Sequence, residues 1–213
     1  MKKLIYAVAI LLLLTSVASA QETFIGVRQG TSLWLNKSYY SSNAINLYPQ
    51  RFTWDKQVFL RRNTRGKWSW EAGIKHYKTK DIITTNNLEE PPRQTVVDNH
   101  LQADMTVQYD VTYPLTGYFF PVLRDMRTYL GLSIIPVMQF TQNKATGEKG
   151  NSFMLMSGLT YTHTIPVGKR FLFSSVLTFR ALKGDRQKYN TTDVTVANRN
   201  ISYHAGIAYK LGE

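Results

Sequence analysis

Apolar and polar residues alternate with a period of two along most of the chain after residue 20, which is the pattern of β-strands with two unlike faces. Between Leu101 and Val111 every odd-numbered residue is apolar or aromatic and every even-numbered residue is polar. A helix does not produce that periodicity. The same alternation predicts five further strands, at 67–79, 128–141, 152–165, 170–181 and 200–211. Two weaker segments, about 23–35 and 51–62, bring the predicted total to eight strands and an all-β fold.

Connections between these segments alternate in length. Tight turns are predicted at 63–66 and 166–169 and a somewhat longer one at 121–127, whereas polar loops are predicted at about 37–50, 80–98, 142–150 and 183–198. Alternating long and short connections are typical of an up-and-down antiparallel barrel with one plain rim and one elaborated rim. No linker divides the chain, so residues 21–213 are predicted to form one eight-stranded antiparallel barrel domain.

Residues 1–20 have the layout of a cleavable signal peptide. A short positive start precedes an apolar run from Leu4 to Leu14, and Ala18-Ser19-Ala20 fits a small-residue cleavage site. The run is short for a membrane-anchoring helix, and no later segment has the 18 or more apolar residues that such a helix needs. Export is therefore predicted, with the mature chain starting at Gln21.

Composition narrows the chemistry of an exported chain. The 213 residues include 26 Lys and Arg against 14 Asp and Glu, a net charge of +12, and loss of the two lysines in the signal peptide leaves 24 minus 14, or +10. Outside the cytoplasm such a charge favours anionic membrane surfaces over nucleic acid as partners. The absence of cysteine excludes disulfides and thiolate sites. The four histidines are too scattered for a metal motif, so no metal site is predicted. No His-x-Ser arrangement of the deacylase type is present either, and neither a cofactor nor enzymatic activity is predicted.

Alternation defines two faces without saying which one meets water. A soluble exported carrier of the lipocalin type would place its apolar face inside, around a ligand, whereas a transmembrane barrel places that face in lipid. Strands of about 11 residues, tilted by ~40°, rise roughly 28 Å, close to the ~25 Å lipid-facing band of such barrels. The polar face is also rich in small residues that suit a narrow packed interior: Gly26, Gly73, Gly131, Gly158 and Gly206. Both features favour the transmembrane β-barrel.

Aromatic residues on the apolar face point the same way. They cluster near both ends of the strands, where transmembrane barrels carry aromatic girdles at headgroup level. The group toward the short turns is Trp68, Trp70, Phe171, Phe173 and Tyr209, and the group toward the long loops is Phe52, Trp54, Phe140 and Phe153.

Side chains of the polar face are predicted to fill the interior, because an eight-stranded barrel is only wide enough to hold them. Buried charges need partners, so the favoured interpretation is a structural plug of mutual ion pairs. Because cations outnumber acids in the set, a narrow anion-preferring path for small solutes is the alternative. The predicted interior charges are Arg28, Lys67, Glu71, Lys75, Asp104, Asp110, Arg180 and Lys210.

Two places fit the alternation poorly. Lys56 falls on the apolar face of the second strand, where it either snorkels toward the membrane surface or lies beside a bulge that shifts the register. Gln29 and Thr31 weaken the outer face of the first strand, and Gly30 between them is a candidate bulge.

The last strand resembles the C-terminal assembly signal of bacterial outer-membrane barrels, with His204, Gly206, Tyr209 and Leu211 in its four recognised positions. The mature chain as a whole resembles the eight-stranded OmpA/OmpX-like barrels. Tyr113-Pro114-Leu115-Thr116 resembles a stretch of the PorT-like outer-membrane barrel family of Bacteroidetes. These resemblances imply an integral location in a Gram-negative outer membrane, with outer-membrane lipid and the barrel assembly machinery as partners. They imply no activity.

The predicted role is therefore non-enzymatic: a monomeric outer-membrane barrel that serves the structure of the envelope or its surface interactions. Basic residues near the long loops, such as Arg186 and Lys188, are candidates for contact with anionic lipopolysaccharide. The narrow pore and the soluble carrier are the two alternatives.

Overall fold

This computed structural model describes residues 20–40, 45–48, 52–64, 66–85, 93–112, 125–144, 147, 149–181, 185–189 and 192–212. Several sequence predictions lie wholly or partly outside these residues, among them the signal peptide at 1–20 except Ala20, the PorT-like stretch at 113–116, most of the turn at 121–127 and parts of the four predicted loops. The side chains of Arg186 and Lys188 are also outside the description.

Ten β-strands account for most of the described chain. Their bounds are β1 (Ala20–Tyr40), β2 (Ile45–Tyr48), β3 (Phe52–Thr64), β4 (Trp68–Thr85), β5 (Arg93–Asp110), β6 (Arg127–Asn143), β7 (Lys149–Val167), β8 (Phe171–Ala181), β9 (Asp185–Tyr189) and β10 (Thr192–Leu211). Within the described ranges no helix is long and apolar enough to cross a membrane.

Eight of the strands form a closed antiparallel barrel. Neighbours follow the order β1-β3-β4-β5-β6-β7-β8-β10, and β1 pairs with β10 to close the ring. The closing ladder runs without interruption from Thr23 opposite Leu211 to Trp34 opposite Asn200. Short β2 pairs with β4, and short β9 pairs with β10, at the end of the barrel away from the tight turns. The predicted eight-stranded antiparallel barrel is confirmed.

The two faces of the strands differ in polarity: apolar side chains lie on the outside of the barrel and polar side chains lie inside. We call this arrangement the inverted surface. Leu132 is 68% exposed and Trp54 73%, whereas Gln102, Arg61 and Thr162 are fully buried. An open sheet edge in hydrocarbon would leave backbone groups unpaired at several kcal/mol each, and closure by β1 and β10 removes that cost. The apolar face that the alternation defines is therefore the outer face.

Aromatic residues occupy both ends of this outer face, as predicted. Toward the tight turns, Trp68 packs edge-on against Tyr109 with ring centroids 4.9 Å apart, and Phe171 packs against Tyr209 at 5.5 Å. Toward the other end, the exposed aromatic residues are Phe52, Trp54, Phe140 and Phe153.

The strands extend well into the segments predicted as long loops. In place of a loop at 80–98, β4 and β5 stay paired up to Thr84 opposite Arg93. β-Branched residues supply the reason, since 82–85 reads Ile-Ile-Thr-Thr and 95–97 reads Thr-Val-Val. The predicted loops at 37–50 and 183–198 likewise contain strand. The loops at the end away from the tight turns are therefore shorter than predicted. Paired hairpins project from the barrel there.

No bulge is present at Gly30, and of the two alternatives for Lys56 the bulge is not found. The ladders on both sides of β1 run through Gly30 in regular register, and the irregularities in β1 lie between Ala20 and Glu22 and between Trp34 and Asn36. Register is also regular through Lys56, whose side chain is exposed on the outer face. Gly30 has a different role: a Cβ there would collide with the backbone of β10 at Tyr203 and His204.

Candidate functional site: the charged interior

Charged side chains reach the interior because they occupy alternate positions on the strands whose other face is apolar. On β3 the outward positions include Trp54 and Val58, so Asp55, Gln57 and Arg61 point inward. The same parity brings charged residues inward from β1, β4, β5, β8 and β10. They form three connected groups, which we call together the interior network: Arg28–Glu71–Arg61, Asp55–Lys75–His204 and Asp104–Gln102–Arg180.

The first group is built around Glu71. Both guanidinium nitrogens of Arg28 donate to its two carboxylate oxygens, Nη2 at 2.8 Å from Oε2, and Arg28 Nη2 also donates to Ser174 Oγ at 2.6 Å. Arg61 Nη1 lies 3.6 Å from Glu71 Oε2 and donates to Gln108 Oε1 at 2.8 Å. One carboxylate therefore partly neutralises two buried guanidinium groups. The neutral acceptors Ser174 and Gln108 take further hydrogen bonds from these groups.

The second group is built around Asp55. Its carboxylate contacts His204 Nε2 through Oδ1, and its Oδ2 lies 3.1 Å from Lys75 Nζ. Ser32 Oγ donates to the same Oδ2 at 3.0 Å. Asp55 and Lys75 side chains are both fully buried, so each depends on the other for charge compensation.

The third group connects β3, β5 and β8. Gln57 Nε2 donates to Asp104 Oδ2 at 2.9 Å, and Gln102 Nε2 donates to the other carboxylate oxygen. Arg180 Nη2 lies 3.8 Å from Asp104 Oδ2, and Arg180 Nη1 donates to Gln102 Oε1 at 3.4 Å. The amide side chain of Gln102 thus bridges Asp104 and Arg180.

Five of the eight predicted interior charges lie in this network: Arg28, Glu71, Lys75, Asp104 and Arg180. Asp110 and Lys210 lie at the turn-side rim, half-buried. Asp110 accepts hydrogen bonds from Thr112, and Lys210 Nζ donates to Glu22 Oε1 at 2.9 Å.

The inward placement of Lys67 is corrected. Lys67 is exposed in the turn before β4, with its Nζ 5.9 Å from the centre of the Tyr109 ring. The strand alternation does not reach residue 67, because β4 begins only at Trp68. Turn backbone does not keep the strict two-residue period of a strand.

Sequence reasoning missed Asp55 and Arg61 and placed His204 only in the assembly signal. The signal for the two β3 residues was present, since they share the parity of Gln57 opposite Trp54 and Val58. Lys56 on the apolar face obscured it. Nothing in the sequence pairs His204 with Asp55, because the contact depends on how β10 and β3 align across β1.

The proposed assembly-signal residues divide between the two faces of β10. His204 is buried in the interior network, and Gly206 lies beside it on the inner face, opposite Arg28. Tyr209 and Leu211 are exposed on the outer face. Their role in assembly stays a prediction.

Two clusters of apolar residues also face the interior. Phe24, Phe59, Leu172 and Ala208 form a buried cluster toward the tight turns, with the Arg28 guanidinium 3.6 Å from the centre of the Phe59 ring. A second buried cluster lies on β6 and β7 and consists of Ile135, Val137, Met154 and Met156. The cavity among the charges holds only about 10 Å³ that water can occupy, roughly the room for one molecule.

Charges inside the barrel are balanced over the described residues. The buried cations are Arg28, Arg61, Lys75 and Arg180, and the acids facing the interior are Asp55, Glu71, Asp98 and Asp104. The excess of cations from which an anion-preferring path was inferred is not found in this part of the chain. The predicted set has that excess because it contains the exposed Lys67 and lacks Arg61, Asp55 and Asp98. In the same residues, no cluster of three or more His, Asp or Glu could hold a metal ion.

Comparison with known proteins identifies the architecture. No protein-family profile and no curated protein sequence matches the chain. Its fold is similar to the outer membrane protein OprG from Pseudomonas aeruginosa, with a TM-score of 0.61, 14% identity, and coverage of 91% of this chain and 98% of OprG. It is also similar to Neisserial surface protein A, with a TM-score of 0.51, 12% identity, and coverage of 89% and 97%. At these identities the likeness establishes the fold, which is that of bacterial outer-membrane barrels.

Proposed function

We propose that this chain is an integral protein of a bacterial outer membrane, exported through its signal peptide, with a non-enzymatic role in envelope structure or surface interaction. The inverted surface is the observation that carries the proposal. Side chains such as Leu132 and Leu155 are more than 60% exposed, while Lys75 and Arg61 are almost completely buried. In water this arrangement would expose a continuous apolar belt, and in a bilayer the belt contacts acyl chains.

A packed interior supports a structural role over transport. Ion pairs link β1, β3, β4, β5, β8 and β10 across the lumen, and the cavity among these charges admits about one water. The outward apolar face also argues against a soluble carrier, which would need that face inside around its ligand.

The projecting hairpins support a surface role. β4 and β5 remain paired for eight residues beyond His76, from Tyr77 opposite His100 to Thr84 opposite Arg93, and the β1–β10 ladder continues to Tyr40 opposite Thr195. In barrels of this class the long connections face the outside of the cell. Paired backbone would hold such a projection in shape as a contact surface. Kinship with the PorT-like barrels of Bacteroidetes, a monomeric state and insertion by the barrel assembly machinery are part of the proposal.

Epitope insertion in intact cells tests the location and orientation. A tag inserted between residues 87 and 88 is expected to bind antibody on whole cells, while the same tag in the turn at Gly168 is expected to need permeabilised cells. Recovery of either tagged protein in the soluble periplasmic fraction without detergent would contradict the membrane location.

Planar-bilayer recording tests the closed interior. The mature chain is expected to insert without steady conductance, and Phe59→Ala/Arg61→Ala, which removes two fully packed interior side chains, is expected to add brief openings. Insertion is checked for both proteins by heat-modifiable gel mobility. Steady anion-selective openings of the unaltered chain would overturn the structural interpretation in favour of the pore.

A further inference from the structure

A polar row interrupts the apolar outer face across three neighbouring strands. Gln29 on β1 lies opposite Lys56 on β3, and Lys56 lies opposite His76 on β4. All three side chains are exposed on the outer face. The row ends on both sides at apolar residues, Ala205 beyond Gln29 and Leu101 beyond His76. The two positions that fit the alternation poorly are thus direct neighbours and belong to one surface feature.

Lys78 extends this feature toward the loops. It follows His76 on the same face of β4, is exposed, and lies opposite Asn99 on β5. Within the described part of the chain, no hydrogen bond or ion pair is made by the side chains of Lys56, His76 or Lys78. We call Lys56, His76 and Lys78 the basic patch. Its two ammonium groups and its imidazole are free to bind an external anion.

The basic patch lies at headgroup depth. His76 follows Trp68, in the turn-side aromatic girdle, by eight residues along β4, which is roughly 21 Å along the barrel axis for ~3.4 Å per residue and ~40° tilt. The lipid-facing band of such barrels is ~25 Å tall. Trp54, two residues further toward the loops than Lys56, is 73% exposed and fits the opposite girdle.

An apolar groove of about 380 Å³ adjoins the basic patch on its side toward the tight turns, on the same strands. It forms because two outward positions are alanines beside larger neighbours: Ala72 lies between Leu60 and Met105, and Ala103 lies opposite Ile74. Val58, on the edge of the groove, is two residues from Lys56 on the same face of β3, roughly 7 Å away. The cations that would contact a headgroup therefore adjoin a groove of a size that holds an acyl chain.

We propose that the basic patch and the groove form a binding site for a phosphorylated lipid of the loop-side leaflet, with the phosphate on Lys56, His76 and Lys78 and one acyl chain in the groove. Charge complementarity selects an anionic headgroup, since no acidic residue takes part in the row. The groove selects a lipid over a free phosphate ion. The inference rests on the proposed membrane location, and it goes beyond it by naming the ligand class and the residues.

Lipid retention measured by native mass spectrometry tests the site. The folded mature chain in neutral detergent is titrated with diphosphoryl lipid A, and with phosphatidylcholine as a neutral lipid. We expect selective retention of one lipid A, weakened about fivefold by Lys56→Gln and by more than tenfold by Lys56→Gln/Lys78→Gln. Ala103→Leu fills the groove, keeps every charge, and is expected to weaken retention as well.

Matched controls separate a built site from general attraction. Lys67→Gln removes an exposed cation at the opposite rim, and Ser157→Leu enlarges an exposed outer-face residue on β7, away from the groove; both are expected to retain lipid A like the unaltered chain. Equal losses in Lys56→Gln and Lys67→Gln would overturn the proposal, and so would full competition by inorganic phosphate with no effect of Ala103→Leu. A chain that shows no heat-modifiable mobility and does not float with vesicles would instead contradict the membrane location itself.

Discussion

Asp55 and His204 meet inside the barrel although a whole strand separates them. β1 lies between their strands, and Gly30 is the β1 residue directly opposite both. Because Gly30 has no side chain, the carboxylate of Asp55 and the imidazole of His204 touch across it, with Lys75 on the other side of the carboxylate. Arg28 uses Gly206 in the same way, reaching Ser174 of β8 across the glycine of β10. Glycines on the inner face thus allow polar contacts between strands that are not adjacent.

Gly30→Ala is therefore expected to destabilise the barrel. Its Cβ would collide with the β10 backbone and the His204 ring, and overpacking of this kind costs about 1–3 kcal/mol. Urea unfolding of the protein in lipid vesicles measures the loss. Gly150→Ala is the matched control, because a Cβ at Gly150 meets nothing within 4 Å. Equal unfolding midpoints for the two variants would mean that Gly30 does not set the approach of β1 and β10.

Glu71→Gln is expected to be among the most damaging conservative substitutions. It leaves Arg28 and Arg61 buried without their shared carboxylate, and breaking a buried pair from one side costs about 3–5 kcal/mol. The same change in the rim pair of Lys210 and Glu22, Glu22→Gln, is expected to cost about 1 kcal/mol or less, because that pair is partly exposed. Denaturant unfolding compares them. A loss as small for Glu71→Gln as for Glu22→Gln would argue that the interior is hydrated and open.

Cysteine cross-linking tests closure of the barrel directly, since the chain has no cysteine of its own. Val27 lies opposite Ile207 on the closing ladder, and directly opposed residues have Cβ atoms ~4.5–5.5 Å apart. Val27→Cys/Ile207→Cys is expected to form a disulfide on oxidation that changes gel mobility after boiling. Val27→Cys/Phe173→Cys, whose second residue lies one strand further on, is expected not to cross-link. Failure of the first pair, or equal cross-linking of both, would contradict the closed ring.

The sequence predicts which face a side chain occupies only where apolar and polar residues alternate strictly. Leu101 to Tyr109 shows the exact two-residue period, and there both faces are predicted correctly. Ile135, Val137, Met154 and Met156 are apolar yet buried inside, so hydrophobicity alone could not place them. The ion pairs were less accessible still, because Asp55 and His204 are 149 residues apart and meet only through the register of β1 with its two neighbours.

The alternation of apolar and polar residues also does not predict the length of the hairpins. Residues 82–85 and 95–97 are β-branched, but their polar neighbours made 80–98 resemble a loop. Pairing partners decide whether such a segment is strand, and β4 finds both β5 and β2 there. Local propensity for strand is weak and depends on this context.

Two adjacent isoleucines permit the most direct test of the central claim that the apolar face contacts lipid. Ile134 is 57% exposed on the outer face and Ile135 is 0% exposed inside, although the side chains are identical. Spin labels on Ile134→Cys and Ile135→Cys, in the protein folded into vesicles, report collisions with oxygen, which concentrates in lipid, and with a water-soluble nickel complex. The label at 134 is predicted to collide with oxygen and not with nickel, and the label at 135 with neither. Strong nickel collisions at 134, or oxygen collisions at 135 as frequent as at 134, would contradict the account.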